Sequence, residues 1–143
     1  MPEPHMEELD ETQCRKLLAD HHLGRLALVD AKGPVIVPVN YVLDGQAPVF
    51  RTDPGSKLDA AAESAPVAFE VDAAEEATRT GWSVVVRGTL AEVTDPGDLE
   101  RLRALPLYPW APGDKTRYLR VRAASVTGRR IQIPDDLPFT WWG

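Results

Sequence analysis

The feature that most constrains the fold of this chain is a change of hydrophobic period near residue 25. From there on, apolar and polar residues alternate in short runs: RLALVD, VIVPVNYVL, APVFRT, VAFEVD, GWSVVVRGTLAEV and RYLRVRAASVTGRRI. Such alternation is typical of strands that bury one face, and the turn signals AKGP and DGQ separate the first three runs, which we interpret as an antiparallel meander. The pattern predicts a closed or partly closed antiparallel barrel. A doubly wound parallel sheet fits less well, because no helix separates these three runs.

Helices are expected to be few and short. Asp10 is positioned to cap a first helix, with Gln13 returning a hydrogen bond from the third helical position. A second helix is predicted in DPGDLERLRAL, where Pro96 lies in the first turn. The alanine-rich run SKLDAAAESA, capped by Ser56, is a third candidate.

Composition excludes several classes of function. The chain has 143 residues and a formal net charge of -6, which suits one domain and argues against binding nucleic acid or an anionic membrane. A single cysteine, Cys14, rules out an intramolecular disulfide and leaves no thiol cluster for zinc. No apolar run approaches the length that spans a membrane, and the acidic N-terminus lacks the features of a secretory signal, so we expect a cytoplasmic protein.

The chain is divided by pattern into three parts. Residues 1–8 are predicted to form a flexible N-terminal arm, because they are polar and precede the first cap. Residues 9–133 carry the strand and helix signals and form the domain. Residues 134–143 are a proline-broken aromatic tail that includes Trp141 and Trp142.

The stretch RTDPGSK, from Arg51 to Lys57, concentrates cations and hydroxyls in an acidic chain. If the preceding run ends a strand and Ser56 begins a helix, these groups and the free amides of the first helical turn converge on one small volume. A helix start with nearby cations offers the free N–H donors and the positive charge that phosphate sites use. The alternative is structural: Ser56 only caps the helix, and Arg51 pairs with a surface carboxylate.

Four segments in this order, VPVNYV, FRTDPGSK, VAFEVD and GWSVVVRG, resemble the pyridoxamine 5'-phosphate oxidase-like family of flavin-binding split barrels. The resemblance covers most of residues 10–131. It implies an antiparallel six-stranded split β-barrel with two to three short helices. It also implies a homodimer that binds two FMN molecules at its interface, and it brings the chain close to the short flavoproteins related to nitroimidazole-resistance proteins.

The resemblance assigns cofactor binding to three segments. The first passes along the isoalloxazine ring, the second holds the phosphate and ribityl chain, and the third lies near the flavin from the other subunit. The residues concerned are, in that order, Pro38, Val39 and Asn40; Arg51, Thr52, Ser56 and Lys57; and Trp82 and Ser83. From the residues alone, Trp82 could equally plug one end of the barrel.

Two functions from different classes fit this sequence. The first is an FMN-dependent oxidoreductase acting on a small molecule, in which the flavin carries the redox chemistry. The second is a non-catalytic module that binds a flavin, the deazaflavin F420 or haem; His21 and His22 form the only histidine pair that could ligate haem. True pyridoxamine 5'-phosphate oxidases carry a histidine in their C-terminal segment, and this chain has none after His22, which argues against that activity.

No residue in the sequence stands out as a catalytic acid or base. Glu70 and Asp72 occupy alternate positions of the run VAFEVD and therefore share one strand face. We expect that face to be solvated, with both carboxyl groups in water.

Overall fold

A computed structural model of the chain describes residues 3–54, 63–113 and 115–137. The predicted phosphate ligands Ser56 and Lys57 lie outside the described residues, as do most of the alanine-rich run and residues 138–143 of the tail. Within the described residues there are two helices and eight strands: β1 (His5–Leu9), α1 (Glu11–Ala19), β2 (Leu23–Asp30), β3 (Gly33–Asn40), β4 (Val42–Asp44), β5 (Ala47–Thr52), β6 (Glu63–Glu75), β7 (Thr80–Glu92), α2 (Pro96–Arg103) and β8 (Arg117–Gln132).

Helix α1 begins with the predicted capping box. The Gln13 backbone N–H donates to Asp10 Oδ1 at 2.8 Å, and the Asp10 backbone N–H donates to Gln13 Oε1 at 2.9 Å. These two bonds satisfy donors that the first helical turn leaves without partners. The helix buries Cys14 and Leu18 against the sheet, so Cys14 is a core residue.

The strands form one antiparallel sheet with the order β3-β2-β6-β7-β8-β5-β4, and β1 pairs with the outer part of β8. The mainly β architecture with few helices, predicted from the alternating runs, is confirmed. The described residues contain eight strands rather than six, because β1 and the three-residue β4 join the sheet. β7 and β8 form the longest ladder of the sheet.

The meander prediction is correct for β2 and β3 and for the DGQ turn, which joins β4 to β5 in a hairpin, but wrong in treating the second run as one strand, because that run is split into β3 and β4. β5 pairs with β8 and β4, and does not continue from β3. The reason is Tyr41, which interrupts the run VIVPVNYVL. Its backbone N–H donates to His22 C=O, and its buried hydroxyl donates to Leu18 C=O at 2.6 Å, so the chain leaves the ladder there. The residues after Tyr41 return as a separate hairpin of β4 and β5.

The flexible arm predicted for residues 1–8 also needs correction, because residues 5–8 belong to β1. β1 pairs with residues 128–132 of the 16-residue strand β8, on the edge opposite β7 and beyond the part of β8 that pairs with β5. Glu7 and Glu8 lie opposite Arg130 and Arg129, and Glu7 Oε1 is 3.5 Å from Arg130 Nη1. Opposite charges across neighbouring strands stabilise the pairing. The division at residues 133 and 134 remains a prediction.

The core lies inside the curled sheet and is closed at one end by α1. Phe69 and Tyr41 are fully buried there and meet edge to face, with ring centroids 4.9 Å apart. A second, smaller apolar cluster fills the space between α2, β5 and β8. Gly88 marks a bulge between β7 and β8, where a Cβ would lie 1.8 Å from the Arg122 carbonyl oxygen, so only glycine allows this close approach.

Candidate functional site

β3, the predicted ring-binding strand, lies at one end of the sheet order. In the sheet that the described residues form, β3 pairs only with β2, so its other edge offers backbone donors and acceptors to a ligand. Pro38 contributes no N–H to that edge. Pro38 and Asn40 lie on the outer face, whereas Val39 points inward and is buried in the core. Only two of these three side chains therefore share a face.

Arg51 and Thr52, predicted to hold phosphate, lie at the end of β5. The Arg51 Nε–H donates to the Lys115 carbonyl oxygen at 2.8 Å, and the guanidinium lies over the Tyr118 ring, 5.5 Å from its centroid. Thr52 is buried. Among the described residues no salt bridge involves Arg51, and the structural alternative, pairing with a surface carboxylate, stays open.

Asp53, the next residue of the same stretch, is held in an unusual environment. Its Oδ2 accepts from Lys115 Nζ at 2.7 Å, and Gly113, with φ of 126°, packs so closely that a Cβ would lie 2.7 Å from the same oxygen. The other oxygen, Oδ1, is buried and has no hydrogen-bond partner among the described residues. A buried acceptor without a donor costs free energy, so Oδ1 is available to a ligand that brings a hydroxyl.

One loop links these two predicted regions. The α2–β8 loop, residues 104–116 with residue 114 undescribed, contacts Asn40 through the Trp110 backbone N–H, which donates to Asn40 Oδ1 at 2.8 Å. At its other end, Lys115 contacts both Arg51 and Asp53. The loop thus brings the end of β3 and the end of β5 to one side of the molecule, although no ladder joins these strands.

Sequence reasoning missed Asp53, Lys115 and Trp110 as members of this region. Asp53 lies inside the stretch RTDPGSK, and its position between Arg51 and Lys57 was the sequence signal that could have identified it. Lys115 and Trp110 lie in the proline-punctuated loop PLYPWAPGDK, where nothing in the local pattern indicates which strands the loop will contact.

Trp82 and Ser83 follow one another on β7 and point to opposite faces of the sheet. The Trp82 ring packs against the core and meets the His21 ring edge to face, with centroids 4.7 Å apart. The His21 Nδ1–H donates to the Leu17 carbonyl oxygen at 2.7 Å, since a carbonyl oxygen only accepts. Ser83 lies on the outer face, on a strand three places from β3 in the sheet order. A single chain therefore does not bring Ser83 beside β3.

The face that carries Glu70 and Asp72 is not simply solvated. Arg25 on β2 donates to Glu70 Oε1 at 3.0 Å and also to the Asp72 carboxylate, so one cation serves both carboxyl groups. Burial, followed by the hydrogen bond and charge of Asp72, raises the pKa of Glu70 to about 7, against the opposing effect of Arg25. Arg25 therefore holds both carboxyl groups on this face. With a pKa of about 7, Glu70 changes its charge near neutral pH.

Glu70 is expected to make folding stability depend on pH. Between about 4.5, its ordinary pKa, and about 7, the folded chain keeps a proton that the unfolded chain has lost, so this residue lowers stability as pH rises. Glu70→Gln removes the titrating carboxyl group. The stability of this variant should therefore rise relative to that of the parent chain as pH rises through this interval. Urea denaturation at pH 4 and pH 8 measures the difference, which a structural effect alone would leave constant.

Among the described residues, no three histidine, cysteine, aspartate or glutamate side chains are grouped closely enough to hold a metal ion. No helix in the described ranges has the length and apolar character needed to cross a membrane.

Comparison with known proteins connects the fold to a family. A family model described as "Pyridoxamine 5'-phosphate oxidase" matches residues 10–130. An uncharacterized protein of Mycobacterium tuberculosis is 38% identical over 137 residues, which cover 92% of this chain and 89% of the relative. The structure of an FAD-binding protein from Mycobacterium smegmatis superposes with a TM-score of 0.77 at 35% identity and covers 88% of this chain and 98% of that chain.

A more distant structure shares the fold alone. It comes from Bacteroides thetaiotaomicron, is assigned by its name to the 5-nitroimidazole antibiotic resistance proteins, and superposes with a TM-score of 0.66 at 13% identity, covering 92% of this chain and 93% of that chain. The family resemblance seen in the sequence is confirmed by the family model and the 38% identical relative, whereas the likeness to nitroimidazole-resistance proteins extends here only to the fold. The match over residues 10–130 and the 38% identical relative establish that this chain belongs to the pyridoxamine 5'-phosphate oxidase family.

Proposed function

We propose that this protein binds a flavin and uses it in the oxidation or reduction of a small molecule. The observation that carries the proposal is the α2–β8 loop, which contacts Asn40 at the end of β3 and both Arg51 and Asp53 at the end of β5. The Mycobacterium smegmatis relative is an FAD-binding protein, and FAD contains an FMN unit. We propose FMN itself as the cofactor, because the predicted contacts are to that unit.

The residues at the end of β5 fit an FMN phosphate and ribityl chain. Arg51 is an always-charged donor oriented by Lys115 and Tyr118, and it forms no salt bridge with any described residue. Ser56 and Lys57 follow in the sequence and would complete the phosphate contacts. The unsatisfied Asp53 Oδ1 suits a ribityl hydroxyl, which is a donor, better than it suits a phosphate oxygen.

The free edge of β3 fits the ring. Its backbone groups match the donors and acceptors along one edge of isoalloxazine, and Pro38 leaves one position without an N–H. A bound flavin supplies the transfer of electrons or hydride. The chain itself would bind the phosphate, orient the ring along β3 and exclude water. Among the described residues we assign no catalytic acid or base, since Glu70 lies beside Arg25 on the outer face of β6.

We further propose a homodimer formed through the outer face of β2 and β3. Val29 and Ile36 expose 72% and 64% of their area at nearby positions of these two strands, and Leu23 exposes 45% on the same face at the other end of β2. A second copy would cover them and would bring its own Ser83 toward the first copy's β3. A stable association buries at least about 1,200 Å² in total.

Light scattering at micromolar concentration should therefore give a dimer. Ile36→Glu places a charge in the proposed interface and should give a monomer, whereas Thr12→Glu, on the exposed side of α1, should leave the dimer intact. A parent chain that scatters as a monomer would contradict the assembly, and an Ile36→Glu dimer would contradict the choice of face.

The absorbance spectrum of freshly purified protein tests the cofactor. Flavin bands, or tight binding of added FMN, are the expected result. The alternatives give different signals: a deazaflavin band indicates F420, and a Soret band indicates haem, for which His21 would have only Nε2 to offer because Nδ1 is bound to Leu17. A colourless protein that does not bind added FMN would contradict the proposal. Turnover with a reductant and an electron acceptor then separates an enzyme from a binding module.

A further inference from the structure

The α2–β8 loop presents two aromatic side chains to solvent. Tyr108 and Trp110 are 76% and 73% exposed, although both belong to residue types that are usually well covered. The backbone around these two residues is stiff, because Pro106, Pro109 and Pro112 restrict it at every third position. Rigid aromatic residues of this kind lose little conformational entropy when they bind a partner.

The described part of the loop is held in place by contacts on both sides of the exposed rings. Leu107, directly before Tyr108 in the sequence, is buried in the cluster under α2. The Trp110 backbone N–H is bound to Asn40, and Gly113 and Lys115 pack against Asp53. The exposed rings are therefore held at a set position beside the ends of β3 and β5, where the flavin site is proposed.

An indole in this position has one chemistry to offer. It has no charge, its N–H is a donor only, and its flat apolar faces gain most from another flat ring system. Heteroaromatic rings such as nucleobases stack on aromatic side chains with favourable free energy, whichever base is involved. The cation on the described part of this loop, Lys115, is already paired with Asp53 at 2.7 Å, so a charged ligand would find no unpaired cation there.

We propose that Trp110 stacks against a planar heteroaromatic ring that binds beside the flavin, with Tyr108 as a second contact on the same loop. The inference rests on the proposed flavin site for its location. The ring has two chemical sources: the adenine of a dinucleotide flavin, or a separate substrate that carries such a ring. Either source makes the loop a determinant of which ligand the protein selects.

The test compares three probes, FMN, FAD and adenosine monophosphate, on the full chain and on Trp110→Ala, Trp110→Phe and Met6→Ala. Met6, on β1, is 56% exposed and provides a matched surface truncation away from the loop. Trp110→Ala keeps the backbone bond to Asn40, so its melting temperature should equal that of the parent chain. Its affinity for FMN should also be unchanged, because the FMN unit contacts β3 and β5.

The affinity for the stacked ring should fall roughly 5- to 150-fold in Trp110→Ala and recover largely in Trp110→Phe. A loss for FAD alone identifies the cofactor's adenine; a loss of adenosine monophosphate binding to the FMN-loaded protein identifies a separate ring. Unchanged affinity for both probes overturns the inference. If the parent chain binds neither flavin, the proposed function fails. Binding of adenosine monophosphate to the flavin-free chain then tests the role of Trp110 alone. Equal affinity of the parent chain and Trp110→Ala for adenosine monophosphate would overturn the inference.

Discussion

Replacing Arg51 with alanine is expected to weaken FMN binding by about 1.5 to 3 kcal/mol, or roughly 10- to 150-fold, because hydrogen bonds to a charged phosphate are lost. Riboflavin has the same ring and ribityl chain without the phosphate, so its affinity should change far less. Lys57→Ala is expected to behave in the same way, although Lys57 lies outside the described residues. Isothermal or fluorescence titration of both ligands measures the two losses.

Arg51 has structural contacts that the experiment must separate from ligand binding. Its Nε–H holds the Lys115 carbonyl oxygen, and its guanidinium covers Tyr118. The melting temperature of the flavin-free variant reports those losses directly. Arg103→Ala removes the same charge from the exposed side of α2 and is the matched control for long-range electrostatics. Equal losses for FMN and riboflavin in Arg51→Ala would reject Arg51 as a phosphate ligand.

Local chemistry explains which parts of the fold are predictable from this sequence. The start of α1 depends on Asp10 and Gln13, three residues apart, so the sequence contains the whole interaction. Most of the strands likewise follow from alternation within single runs, whereas β1 forms because β8 offers it an edge far along the chain. The break at Tyr41 is different, because it depends on His22 and Leu18, which are distant in sequence and become neighbours only after α1 has docked.

The candidate site shows the same distinction. The segment from Arg51 to Lys57 is contiguous, so its cations and hydroxyls can be identified from the sequence alone, and its role as a phosphate site stays a prediction. The contacts that complete the region join Asn40 to Trp110, 70 residues apart, and Asp53 to Lys115, 62 residues apart. No pattern within a single segment predicts such pairs, because they form only when the α2–β8 loop packs across the ends of β3 and β5.

The pair Trp82 and Ser83 shows a limit of carrying a motif over as a unit. Successive residues of a strand point to opposite faces, so one surface of one chain cannot receive both side chains. The resemblance implies that both lie near the flavin, and this remains a prediction. Ser83 on the outer face is compatible with a flavin held by a second copy. Trp82 contacts the core and His21, which favours a packing role.

Trp82→Ala is therefore expected to destabilise the flavin-free protein by roughly 2 to 4 kcal/mol, at or below the range for a fully buried aromatic residue, because Trp82 is only half-buried. For a chain of this size that corresponds to a fall in melting temperature of roughly 3 °C per kcal/mol. Trp82→Leu keeps more of the volume next to the core and should lose less. FMN affinity at a temperature where both variants are folded should change little.

Ser83→Ala supplies the opposite expectation on the neighbouring residue. It removes only a hydroxyl from the outer face. The free energy of unfolding of the flavin-free protein should therefore change by no more than about 0.5 kcal/mol, the range typical of surface substitutions. If the outer face meets the flavin of a second copy, FMN binding should weaken in this variant more than in Trp82→Leu. The reverse pattern, a stable flavin-free Trp82→Leu protein with weakened and spectrally shifted FMN, would make Trp82 the ring neighbour, because only loss of an aromatic contact to the flavin would change the ligand without changing the fold.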